Sequence, residues 1–264
     1  MAMEHMPKPR VAIHKFSSCD GCQLAFLNLG ADLLTLAAQV DLVHFAEAGP
    51  LAPDADVDLA FVEGSISAPE DLDRILRVRK NSRMLVAIGA CAIAGGVQAL
   101  RNGAHSAHWI ANIYPAREHI ESLPASTPLS AHVKIDLELP GCPVTSEQVL
   151  GVVNALLLGV SPGVTNEKVC VECKRRGLPC VMVSKGIPCM GPVTQGGCGA
   201  LCPSLGRDCY GCFGPAELAN TDALTRQFRA LGLSDEAIAR RFRSINSSAP
   251  AFAAAASKAL HADD

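Results

Sequence analysis

The sequence has no excess of positive charge: 23 Lys and Arg stand against 26 Asp and Glu, for a formal net charge of −3. A chain without a basic surplus is a poor electrostatic match for nucleic acid, so no nucleic-acid partner is expected. A membrane-crossing run is missing too. The longest apolar stretch, Val149 to Val160, is broken by Asn154 and is too short to span a bilayer. Met1 to Arg10 holds neither an apolar signal core nor a twin arginine, and Arg175-Arg176 and Arg240-Arg241 lie too deep to serve as one. These absences lead to the expectation of a cytoplasmic protein with no membrane partner. Nucleotide loops are lacking as well. Gly191 to Cys198 has phosphate-loop spacing without the Lys and the Ser or Thr that grip phosphate and Mg²⁺, and Gly89 to Gly96 does not match the dinucleotide fingerprint.

What the chain has in abundance is cysteine, with twelve in 264 residues. In a reducing compartment six disulfides explain them poorly, and metal ligation or redox catalysis explains them better. Eight fall between Cys170 and Cys212, as Cys170-x2-Cys173, Cys180, Pro188-Cys189, Cys198, Cys202-Pro203 and Cys209-x2-Cys212. Gly and Pro are frequent there and core-forming residues few, so this segment is expected to fold around metal clusters rather than around packed side chains. Structural zinc has a claim on the paired Cys-x2-Cys knuckles. Against it, twelve cysteines divide into three sets of four, and Pro-Cys and Cys-Pro neighbours suit iron–sulfur clusters. A redox dithiol at Cys19-x2-Cys22 would leave ten cysteines unexplained.

The remaining pattern is that of an α/β protein, and with 49% hydrophobic content the chain can bury a real core in one or two domains. Strands are expected at 10–16, 40–46, 57–63, 84–89 and 133–139, with helices at 23–38, 69–80 and 146–158 between and after them. Alternation at this spacing implies a flavodoxin-like open parallel sheet with helices on both faces, spanning 8–160. A linker near Ser161-Pro162-Gly163 leads to a small, irregular iron–sulfur domain at 164–246. It ends in two helices, at 216–231 and at 234–244 with Ser234 as N-cap. The Ala- and Ser-rich end, 247–264, reads as a disordered tail. Ligand sites in open parallel sheets lie beyond the carboxyl ends of the strands. Cys19 and Cys22, Cys91, and Cys142 each follow a different expected strand, so four thiols should converge on one edge to hold one cluster. The eight histidines, His105 and His108 among them, are scattered and read as ordinary hydrogen-bonded residues. Glu63 and Glu147 read as solvated or capping carboxylates rather than proton relays.

These residues carry a family resemblance. Cys19-x2-Cys22, Gly89-Ala-Cys91-Ala-Ile-Ala-Gly95-Gly96 and Pro140-Gly-Cys142-Pro143 resemble the proximal-cluster motifs of the small subunit of [NiFe] hydrogenases. The eight later cysteines, with Cys189-Met-Gly-Pro-Val-Thr, are similar to that family's distal and medial cluster region. The resemblance covers nearly the whole chain. It is nearest in character to the cytoplasmic, multi-subunit, bidirectional enzymes coupled to NAD(P), the group that includes sulfhydrogenase delta subunits.

The resemblance implies three [4Fe-4S] clusters: a proximal one on Cys19, Cys22, Cys91 and Cys142, a distal one on Cys170, Cys173, Cys180 and Cys189, and a medial one on Cys198, Cys202, Cys209 and Cys212. It implies as partners a large subunit carrying the NiFe centre and NAD(P) reductase subunits carrying flavin and iron–sulfur clusters. The chain would then be an electron wire with no catalysis of its own. Two positions depart from membrane-linked and periplasmic members: Cys170 stands where they have His, and Cys202 where they have Pro. A stand-alone iron–sulfur carrier, or a cluster subunit of the quinone-linked respiratory type, is the alternative. The quinone-linked subunit, with adjacent cysteines and no eight-cysteine extension, is the poorer match.

Overall fold

A computed structural model describes residues 8–103 and 106–261. The chain runs β1 (Arg10–Lys15), α1 (Gly21–Leu27), α2 (Ala31–Gln39), β2 (Asp41–Phe45), β3 (Val57–Glu63), α3 (Pro69–Lys80), β4 (Ser82–Ile88) and α4 (Gly89–Ala94). It continues through α5 (Ser106–Ile113), β5 (Leu137–Leu139) and α6 (Ser146–Leu157). The second part holds α7 (Val169–Arg175), α8 (Val181–Lys185), α9 (Leu201–Ser204), α10 (Thr221–Ala230), α11 (Asp235–Phe242) and α12 (Pro250–Leu260).

The five strands form one parallel sheet in the order β2-β1-β3-β4-β5, the doubly wound flavodoxin-like arrangement. Successive side chains of a strand face opposite layers. Val11 and Ile13 therefore join Phe26, Phe61 and Val149 on one side, while Ala12 and Phe16 join Ile75, Leu85 and Leu129 on the other. Burial on both faces explains why the central strands read as unbroken apolar runs. Lys15 pairs with Glu63, Glu63 with Ile88, and Ile88 with Leu139. Four strands thus end level, and the loops that follow them leave the sheet at one height.

The expected helix over 23–38 is two helices. Gly30 takes φ +59° between α1 and α2, whose axes bend by 87°. The fifth strand is short: Asp136 still gives its backbone N–H to Leu85 O at 3.0 Å, but the Leu85 N–H goes to the Asp136 carboxylate at 2.9 Å, which also pairs with Arg79 at 2.5 Å. Helix α10 likewise begins at Thr221, capped by Asn220, and not at 216. Ser234 does cap α11, accepting the Ala237 N–H at 3.3 Å.

The tail departs from expectation. Residues 250–260, read as disordered, form α12, with Phe252, Ala255, Ala256 and Ala259 all buried. Their i, i+3, i+4, i+7 spacing is a helical stripe built mostly from alanine, which carries high helix propensity but little hydrophobic contrast. This helix packs with α10 and α11 around Phe228, Ile238 and Phe242, and the same core contains Met190, Val193, Cys189 and Cys209. The cysteine-rich segment therefore does have packed side chains to fold against, supplied from outside itself. Among the described residues no single helix is long and apolar enough to cross a membrane.

Candidate metal centres

At the sheet edge, β1 delivers Cys19 and Cys22, β4 leads into α4 with Cys91, and β5 delivers Cys142. The loops touch one another. Ala90 donates its N–H to Gly141 O at 2.7 Å, and a Cβ on Gly21 would stand 3.3 Å from Pro143 and 3.5 Å from Cys19 Sγ. Cys22 lies within electrostatic reach of Cys91 and Cys142, and Cys91 within reach of Cys142 and Cys19. Two glycines leave room for sulfur. Gly89, at φ +83°, could carry a Cβ only by overlapping Cys22 Sγ, and Gly96, at φ +61°, only at 2.5 Å from Cys91 Sγ.

Burial raises all three of the inner thiol pKa values, that of Cys91 to about 11, with the Glu63 carboxylate adding to the shift at Cys22. Such thiols stay protonated in neutral water and ionise when a cation takes the place of the proton.

Glu63 closes this site from below. It is 1% exposed and accepts the N–H groups of Cys22 and Gln23, each at 3.2 Å, so it caps α1. Of the two roles expected for it, capping holds and solvation does not. Burial raises its pKa, and the two N–H bonds partly offset that rise. Gln98 was not singled out from sequence. Its Oε1 lies 3.3 Å from Cys91 Sγ while its Nε2 donates to Ser17 O at 2.8 Å, which ties the Cys91 and Cys19 loops together.

Four of the later cysteines share one space. Cys170, Cys173, Cys180 and Cys189 line one cavity of about 110 Å³ whose other walls include Val169, Val181, Met182 and Pro203. Gly191 sits between two of them: a Cβ there would lie 3.4 Å from Cys170 Sγ and 3.5 Å from Cys189 Sγ. Burial lifts the Cys170 pKa to about 11, with Cys189, Cys173 and Cys180 adding to the rise. Cys212 is lifted to about 12 by burial and then by Cys198, Cys142 and Cys202, and Cys209 is raised by burial with Cys189 and Cys212 nearby.

Thiols far apart in sequence act on one another: Cys142 on Cys212, Cys198 on Cys173, and Cys209, whose N–H donates to Cys189 Sγ at 3.2 Å, on Cys189. All twelve thiols are free. Among the described residues no three His, Cys, Asp or Glu side chains converge as ligands of one ion do. An iron–sulfur cubane spreads its four thiolates over separate irons, and four thiols around a cavity suit it.

Residues 19–156 match the family model described as NADH ubiquinone oxidoreductase, 20 Kd subunit. Sulfhydrogenase 2 subunit delta of Pyrococcus furiosus is 34% identical over 234 residues, covering 89% of this chain and 98% of that relative. The chain belongs to this family, on its [NiFe] hydrogenase small-subunit side. The NAD-reducing hydrogenase HoxS subunit delta of Cupriavidus necator is 29% identical over 60% of this chain and 83% of its own length. A crystal structure of an NAD⁺-reducing [NiFe]-hydrogenase in the H2-reduced state superposes with a TM-score of 0.55 at 29% identity, over 60% of this chain and 95% of that one. An actinobacterial-type NiFe-hydrogenase from Ralstonia eutropha, at 18% identity and a TM-score of 0.56, shares the fold.

In this small subunit the expected hydrogen-bonded role holds for one described histidine and fails for another. His132 bonds Thr127 at 2.8 Å as expected, whereas His14 and His44 pack ring to ring on β1 and β2, centroids 4.7 Å apart and tilted by 36°, with His44 Nδ1 buried and lacking a hydrogen-bond partner. His108 is exposed, and His105 lies outside the described residues. Glu147, the other carboxylate weighed as a relay, is exposed in the first turn of α6. Asn246, unremarked in sequence, donates from Nδ2 to Gly211 O at 2.9 Å and Cys212 O at 3.2 Å, bracing the Cys209-x2-Cys212 turn.

Proposed function

We propose that this subunit relays electrons between the NiFe site of a large subunit and partner subunits bearing flavin and further iron–sulfur clusters, with NAD(P) as the terminal couple, in the cytoplasm. Three [4Fe-4S] clusters would be held by Cys19, Cys22, Cys91 and Cys142, by Cys198, Cys202, Cys209 and Cys212, and by Cys170, Cys173, Cys180 and Cys189. The observation that carries this reading is a set of thiol contacts leading away from the sheet edge: Cys142 acts on Cys212, Cys209 donates its N–H to Cys189 Sγ at 3.2 Å, and Cys189 shares a cavity with exposed Cys180. Bound clusters supply one-electron carriers whose potentials follow burial, net charge and hydrogen bonds to sulfur.

The chain's own residues do the rest. Gly89 and Gly96 leave space against Cys22 and Cys91, and Gln98 and Asn246 fix the loops that carry ligands. Backbone N–H groups of Cys209 and Gly211 point at the sulfurs of Cys189 and Cys209, at 3.2 and 3.4 Å, which favours the reduced state of whatever those sulfurs hold.

The test is metal content and partner dependence. Anaerobic protein should be brown with about twelve irons per chain, four for each cubane. The purified chain alone should neither make nor consume H2, and should gain H2-dependent dye reduction with a nickel-bearing partner seated over the Cys19, Cys91 and Cys142 edge. Stoichiometric zinc with little iron, or full activity of the lone chain, overturns the reading.

A further inference from the structure

One carboxylate links two of the cysteine neighbourhoods, and nothing in the motif spacing marks it. Glu172 lies on α7 inside the Cys170-Val-Glu-Cys173 knuckle, yet its carboxylate binds the loop around Cys198. Its Oε1 accepts the Gly197 N–H at 2.6 Å and its Oε2 the Ala200 N–H at 3.0 Å. These two amides flank Cys198, whose Sγ stands 3.8 Å from Oε2.

The loop it grips cannot hold its shape alone. Gly197, Gly199 and Ala200 take φ values of +125°, +62° and +54°, the last in a left-handed conformation that strains any residue with a Cβ. The rest of α7 and its flanks grip the same loop: Gly196 N–H bonds Glu167 O at 2.7 Å, and Arg176 bonds Gly199 O. Gly196 has no spare room, since a Cβ would press on the Glu172 carboxylate at 3.2 Å.

We propose that Glu172 is a positioning residue that couples the two cysteine sets. Delivered from the Cys170–Cys173 knuckle, it orders the loop that presents Cys198, and it holds a negative charge 3.8 Å from the Cys198 sulfur and, more weakly, within reach of Cys173. The inference rests on the cluster assignment above. Two consequences separate. Geometrically, Cys198 is presented as a ligand only while the knuckle that holds Cys170 and Cys173 is folded, so the two sites fill together. Electrostatically, a carboxylate beside the sulfur disfavours adding an electron, so the cluster on Cys198 is held at a lower potential than its own ligands would set. A carboxylate with two amide donors suits both ends of the interaction. An amide in its place can accept from one N–H but turns its own NH2 toward the other.

The experiment uses the whole complex, wild type beside Glu172→Gln, Glu172→Ala and Gly196→Ala. It reads iron per complex and the midpoint potential of each cluster by EPR-monitored redox titration. Glu172→Gln should keep most of its iron while the midpoint of the cluster on Cys198 moves positive most, that of the cluster on Cys173 moves less, and the sheet-edge midpoint stays. Glu172→Ala and Gly196→Ala should lose iron selectively, with the EPR signal of that cluster weakened and the sheet-edge cluster signal intact. Full iron and unchanged midpoints in Glu172→Ala overturn the proposal. So does a uniform loss of all signals in every variant, which marks general instability. Wild-type complex without iron overturns the cluster assignment itself, a failure visible before any variant is made.

Discussion

Replacing Gly89 with alanine tests the site at its tightest point. The backbone there has φ +83°, which costs an alanine about 1–2 kcal/mol by the steric penalty of the left-handed region. The new methyl also overlaps Cys22 Sγ, and Cys22 is only 6% exposed, between Phe26 and the β4–α4 turn, so the sulfur has nowhere to retreat. Overpacking of a filled core costs about 1–3 kcal/mol, giving a total of about 2–5 kcal/mol. With a urea slope of about 3 kcal/mol per molar, the upper end of the range for a chain of this size, the unfolding midpoint should fall by roughly 0.7–1.7 M. Displaced sulfur should also release the sheet-edge cluster, about four irons of twelve. Gly151→Ala is the control. Nothing lies within 4 Å of its added Cβ in the middle of α6, so it should gain about 0.5–1 kcal/mol from helix propensity. A Gly89→Ala protein with wild-type midpoint and iron content would refute the close-approach argument.

Cys202→Pro should leave a [3Fe–4S] cluster at the Cys198, Cys209 and Cys212 site, seen as a new three-iron EPR signal, because it removes the fourth thiolate; an unchanged spectrum and iron content would demote Cys202 to a packing residue. Burial, with His44 and Arg74 nearby, lowers the His14 pKa from 6.5 to about 3, so the folded chain keeps it neutral while the unfolded chain takes up a proton below 6.5. Its contribution is therefore full above pH 6.5 and declines as pH falls toward 3, by about 2 kcal/mol at pH 5. Denaturation midpoints from pH 7 to 5 should fall less steeply in His14→Phe than in wild type, and parallel slopes would refute this. Phe252→Ala should cost about 3–5 kcal/mol. Phe252 is 1% exposed, 5.7 Å from the Phe242 ring and against Gly211, so the loss should also loosen the Cys209–Cys212 turn, read as faster thiol alkylation after metal removal.

Much of the architecture was legible in the linear chain because its signals are local. The apolar run at Val57–Glu63 and the charged segment at Pro69–Lys80 reproduce β3 and α3 to the residue, since a buried parallel strand and a Pro-initiated charged helix each announce their own ends. Strand alternation was enough to place Cys19, Cys22, Cys91 and Cys142 at one sheet edge, because parallel crossovers return every strand's carboxyl end to the same side.

What only the tertiary structure decided depends on residues far apart in sequence. Glu63 is buried because β3 is central, and it meets the start of α1 only once the sheet has formed. Glu172 sits in a knuckle whose cysteines dominate the pattern, while its two amide partners lie 25 and 28 residues downstream. Helix α12 has almost no signature of its own: alanines report neither burial nor exposure until Phe252 finds Phe242. Motif spacing names the thiols, since each set must lie within reach of one cluster. The groups that hold those thiols in place are single polar or small residues at long sequence separation, and packing alone brings them together.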